Sequence, residues 1–144
     1  MATASKSAAA ATNSQDLGKL VLRVALGVLI LLHGIAKLIG GPGFILDVVT
    51  KAGLPSALAY GVYIGEVLAP LLLIVGAWTR LAAIIIVVNM LFALYLVHAA
   101  DMFTLSKTGG WALELQGMYL FSAIAVALLG AGRYSMGGHD GRWN

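Results

Sequence analysis

Seven polar residues interrupt otherwise apolar stretches of this chain: Arg23, His33, Lys37, Glu66, Asn89, His98 and Glu114. An ionisable group inside hydrocarbon is costly, so each of them is a candidate for ligand contact, proton relay or a structural ion pair. On a helix turning 100° per residue, Arg23, Gly27, Ile30, His33, Gly34 and Lys37 fall within an arc of about 120°. That single stripe must face protein or water, and its two glycines let a second helix approach closely. Tyr63 sits three residues before Glu66 on the same face, so it can line the same cavity. Pro70, four residues after Glu66, loosens the backbone bonding beside the carboxylate and is expected to kink the helix there.

The chemistry open to such a set is limited. A quinone head group needs donors to its two carbonyl oxygens and a proton route; His33, Lys37 or a tyrosine can donate, and Glu66 or Glu114 can relay. An ion-pair network that fixes the register of the helices uses the same residues equally well. At ~1.5 Å per residue, Glu66 lies near the membrane midplane, with Arg23 close enough to pair with it. His33, Lys37, His98 and Glu114 lie in the outer half, forming a polar column open toward the outside. Two axial imidazoles, His33 and His98, would also suit haem. Against that, Asn89 and His98 are nine residues apart and fall on opposite helix faces, so an inward Asn89 turns His98 toward the interface. The chain has no cysteine, no metal motif and no nucleotide fingerprint, so electrons must come from a bound quinone or a partner protein.

The elements that carry these residues are four apolar stretches, about 17–39, 56–76, 80–99 and 111–131, each near the ~20 residues that span a ~30 Å hydrocarbon core. Gly40-Gly41-Pro42-Gly43, Gly76 to Arg80 and Gly109-Gly110 separate them. The 144 residues are 60% hydrophobic and 10% charged, with mean hydropathy +0.94, too little charge to cover a soluble surface. The fold expected is all-α, an integral membrane four-helix bundle over 17–132. Residues 1–16 read as a disordered tail and 133–144 as a polar one, open to partner contact through Arg133, His139, Asp140 and Arg142. The apolar run after residue 16 is too long for a signal peptide.

Lys6, Lys19, Arg80, Arg133 and Arg142 share one side against Lys37, Lys51 and Lys107, so both termini are expected in the cytoplasm of a bacterial-type inner membrane. The net charge of +3 is scattered rather than clustered, which argues against nucleic acid. The connection 40–55 can hold an amphipathic turn at the outer interface, with Phe44, Ile45, Val48 and Val49 toward lipid.

Arg23 with Gly27, His33-Gly34 with Lys37, Gly53-Leu54-Pro55, Gly65-Glu66, and Gly76 with Thr79-Arg80 form an ordered pattern that resembles the DoxX family over about Leu17 to Ala131. The resemblance implies a four-helix membrane protein associated with quinone-linked electron transfer, as a subunit of a quinol oxidase or thiosulfate:quinone oxidoreductase, or as a membrane partner in redox-stress complexes. Arg23, His33, Lys37, Glu66 and Arg80 match its pattern; Asn89, His98 and Glu114 rest on depth alone. Two other classes of function fit the residues. A proton or small-solute transporter would use a midplane Glu66 and would need a homo-oligomer to alternate access with such short helices. A structural scaffold would use the charges to hold the bundle together.

Overall fold

The computed structural model describes residues 2–138, 141, 143 and 144, with side chains from Thr12 onward. Helix α1 spans Ala2–Gly40, and the short α2 spans Gly43–Lys51. Helix α3, Ser56–Val75, opens as a 3-10 turn over Ser56–Tyr60, widens to a π-helix over Ile64–Leu68 and closes as an α-helix over Ala69–Val75. Helix α4 spans Thr79–Leu96 and α5 spans Glu114–Leu129. The fold is the expected all-helical bundle: α1 packs on α3 and α5, and α4 packs on the same two. Gly27 lies beside Pro70 and Ile74 while Gly34 lies beside Glu66 and Val67, so α1 and α3 run antiparallel. The shared core is Leu26, Ile30, Leu73, Ile86, Met90 and Val126, with Ala69, Ala82, Ala83 and Ala123 fully buried among them.

Among the described residues, three helices, Thr12–Gly40, Ser56–Val75 and Thr79–Leu96, are long and apolar enough to cross a membrane. The fourth differs from the expected 111–131. Its 16 residues rise about 24 Å, short of a ~30 Å core. Trp111 is taken instead by the preceding loop: it bridges Leu105, and its indole Nε1 donates to the Met102 carbonyl at 2.8 Å. Gly130, at φ +73°, ends the helix at the other side.

Three further expectations are corrected. The segment 2–16 continues α1 rather than forming a tail, because its alanine run is strongly helix-forming. Asp16 at its end is 3% exposed, its carboxylate 4.0 Å from the Arg133 guanidinium. Helix α2 turns its apolar face onto the bundle rather than into lipid. Val49 is buried and Ile45 and Val48 face a cavity, while Phe44 stays exposed. The C-terminal segment folds back on the α3–α4 turn: Met136 and Gly137 donate backbone hydrogens to Val75 and Gly76 at 3.1 and 2.9 Å. The Asn144 side chain accepts from the Thr79 hydroxyl at 3.0 Å, satisfying the start of α4. His139, Asp140 and Arg142, named above for partner contact, lie outside the described residues.

Candidate functional site

The site is built around a defect in α3. Pro70 has no backbone hydrogen, so the carbonyl of Glu66 four residues earlier loses its helical partner, and the π-helix falls over these residues. That carbonyl leans on α1 at Gly34, where a β-carbon would overlap it. On the opposite side Gly65 admits α4, since a β-carbon there would stand 2.5 Å from the Asn89 side chain. Two glycines thus allow α1 and α4 to close on Glu66 from both sides.

Glu66 is 5% exposed. Its Oε2 forms an ion pair with Lys37 Nζ from α1, and its Oε1 accepts from Asn89 Nδ2 of α4 at 3.3 Å. The Tyr63 hydroxyl donates to the Lys37 backbone carbonyl at 3.4 Å and steadies the end of α1. Of the residues singled out from the sequence, the structure therefore brings Lys37, Tyr63, Glu66 and Asn89 together.

The expected contact between Arg23 and Glu66 is not made. Helical side chains lean toward the helix N-terminus, so on α1 Lys37 leans back toward Glu66 while Arg23 leans away from it. Arg23, 2% exposed, instead caps the end of α3: its Nη1 donates to the Leu73 and Ile74 carbonyls at 2.6 and 2.7 Å. Its Nη2 donates to the Tyr134 carbonyl. Arg80 does the same for α5, with Nη1 on the Ala127 and Leu128 carbonyls at 2.9 and 3.0 Å and Nε on the Asn144 carbonyl at 3.0 Å. A cation on the last carbonyls of a helix also meets the negative end of its dipole.

The outer polar column is split up. His33 is exposed on the α1–α5 seam, its Nε2 3.4 Å from the Tyr119 hydroxyl and its ring edge-on to Tyr119. His98 Nε2 lies 3.3 Å from Gln116 Nε2, so the two imidazoles have separate partners. Glu114 opens α5 exposed, with its carboxylate against Gly110 rather than toward Glu66.

Beside Glu66 lies a cavity of about 360 Å³ between α2, α3 and α4. Glu66 and Asn89 form its polar wall; Ile45, Val48, Leu58, Val88 and Phe92 are among the apolar residues that complete it. Sequence reasoning missed the part α2 plays here. The signal was the spacing of Ile45, Val48 and Val49, which one helix face needs to pack on protein as much as on lipid. Chemically, the arrangement offers a carboxylate and an amide to the head of an otherwise apolar molecule.

The profile of the DoxX family matches residues 18–99, a stretch that holds Arg23, Gly34, Lys37, Glu66, Arg80 and Asn89. A Bacillus subtilis (strain 168) protein described as "Putative oxidoreductase CatD" is 32% identical over 118 residues, covering 82% of this chain and 83% of that protein. An uncharacterized protein of Haemophilus influenzae (strain ATCC 51907 / DSM 11121 / KW20 / Rd) is 32% identical over 110 residues, covering 74% of this chain and 81% of that protein. No solved structure gives a significant match. With that profile over more than half of its length, and a relative of this identity over most of both sequences, the chain belongs to the DoxX family.

Proposed function

We propose that this chain is a membrane component of a redox system that holds a quinone or similar lipid-like ligand in the cavity between α2, α3 and α4. The head group lies toward Glu66 and Asn89, and the tail runs out to the lipid. The observation that carries this reading is a buried carboxylate, fixed by Lys37 and Asn89, forming one wall of an otherwise apolar cavity within membrane-type helices. A structural ion pair alone needs no cavity beside it. The similarity to a protein named as an oxidoreductase adds the redox direction. Electrons reach or leave the ligand through a partner protein docked on the membrane. The inner membrane of a bacterial-type cell, with both termini cytoplasmic, is the setting that fits the distribution of lysine and arginine.

The test is to purify the full chain in mild detergent, extract it with organic solvent and analyse the extract by mass spectrometry. Near-stoichiometric quinone or quinol, lost in Glu66→Gln, is the expected result. An extract free of any such lipid would overturn the ligand reading and leave scaffold or transporter in its place.

A further inference from the structure

The residues that line the cavity and the residues that hold them differ in hydrogen-bonding sense. Glu66 and Asn89 line the cavity, whereas Lys37, Tyr63 and Arg23 do not. Lys37 spends its charge on Glu66 Oε2 from the α1 side. Asn89 spends one amide hydrogen on Glu66 Oε1. Each carboxylate oxygen keeps room for a further donor, and Asn89 Oδ1 accepts no hydrogen bond among the described residues. The cavity wall is therefore rich in acceptors, against one uncommitted hydrogen on Asn89 Nδ2. A carbonyl head group would set oxygen against carboxylate oxygen; a hydroxyl would donate.

Depth and enclosure narrow the ligand further. Glu66 lies ten residues into α3, about 15 Å from its outer end and so near the midplane of a ~30 Å core. That end is closed by α2 and the first turn of α3, where Val49 and Ala59 are 3% and 1% exposed. Leu58, Ile64, Val88 and Phe92 line the cavity yet remain about half exposed, so it opens sideways to lipid between α3 and α4. A phospholipid would have to carry its phosphate to the midplane and set it beside a carboxylate. A small neutral head avoids both costs.

We infer that the cavity takes a neutral lipid whose head donates a hydroxyl hydrogen, the class of isoprenoid quinols and long-chain phenols, in preference to the quinone form or a phospholipid. The inference rests on the ligand-site reading above and names the chemical state of the ligand. Glu66 accepts the hydroxyl hydrogen, Asn89 accepts or steadies the same group, and Lys37 keeps the carboxylate in place from behind.

Calorimetric titration of the full chain in nanodiscs of a zwitterionic lipid, under argon with ascorbate where needed, tests this. The probes are decylhydroquinone, its dimethyl ether, which keeps the shape without the donors, and decylbenzoquinone. The hydroquinone should bind about tenfold or more tighter than either of the others, the worth of one hydrogen bond to a charged group. That preference should disappear in Glu66→Gln. If that variant does not fold, Asn89→Leu leaves the Lys37–Glu66 pair in place and should also weaken hydroquinone binding. Equal binding of quinone, ether and hydroquinone would overturn the inference while keeping the ligand site. Binding of none of the three would overturn both.

Discussion

Glu66 lays its backbone carbonyl oxygen against Gly34 so closely that a β-carbon on Gly34 would overlap it. The contact exists because Pro70 offers that carbonyl no hydrogen, leaving it free to lean across the helix interface. A Cα–H···O contact is a weak substitute for the missing bond, and it needs glycine. Gly34→Ala must push α1 off α3, and overpacking of this kind costs about 1–3 kcal/mol. Gly18, where an added methyl group would meet nothing within 4 Å, is the control. Thermal unfolding in detergent should show a lowered Tm for Gly34→Ala and none for Gly18→Ala; equal midpoints would mean that the close approach is not needed.

The pairing of Lys37 with Glu66 makes a prediction about single and double substitutions. Removing one partner of a buried pair costs more than removing both, because the survivor keeps its desolvation penalty. Here the Glu66 side chain is 6% exposed and that of Lys37 30%, so the loss falls between the surface and buried cases, about 2 kcal/mol for Lys37→Met. The double variant Lys37→Met with Glu66→Gln should recover part of that loss. A double-mutant cycle on unfolding midpoints reads it, and strict additivity would show that the two side chains do not act as a pair.

How much of this is legible in the sequence depends on the kind of constraint. Length and hydropathy mark where a helix can cross a membrane, and beside the breaks read at Gly40 to Gly43 and at Gly76 to Arg80, α1 ends at Gly40, α3 ends at Val75 and α4 opens at Thr79. The stripe on α1 also holds for Gly27, Gly34 and Lys37, which all meet α3. Partners are harder to read, because depth fixes height along the bundle but not which neighbour a side chain faces. Height alone puts Arg23 beside Glu66 and Glu114 in the polar column. The lean of side chains toward a helix N-terminus, and the phase of α5, decide otherwise. The strap formed by Tyr134, Ser135 and Asn144 leaves no periodic signal at all, since it is held by backbone groups and caps rather than by an apolar face.

Arg23 and Arg80 should not tolerate lysine. Arg23 gathers the carbonyls of Leu73, Ile74 and Tyr134 with two nitrogens of one planar fork. A lysine ammonium is a single point that cannot bridge a helix end and the returning chain together. Arg23→Lys is expected to cost about 2 kcal/mol, in the range of one lost charge-assisted bond. Because the C-terminal segment hangs on the same guanidinium, limited proteolysis should cut near Tyr134 faster in the variant. Unchanged cleavage together with an unchanged Tm would remove Arg23 from its role as the clasp between α3 and the chain end.

His33 is a polar residue outside the cavity, and Gly65 is a glycine on its wall. His33 is a natural candidate for the ligand by type and depth, yet it stands on the α1–α5 seam with Tyr119, outside the cavity. Gly65 has no chemistry of its own, yet it sits where any side chain would strike Asn89 and move it off Glu66. His33→Ala is therefore expected to keep bound lipid at the level of the unaltered chain. Gly65→Ala is expected to lose it at least several-fold, because a β-carbon 2.5 Å from Asn89 must displace the amide that lines the cavity. The amount of lipid extracted per protein measures both, with far-UV circular dichroism to confirm that each variant keeps its helices. Loss of lipid in His33→Ala with retention in Gly65→Ala would move the ligand to the α1–α5 seam and away from Glu66.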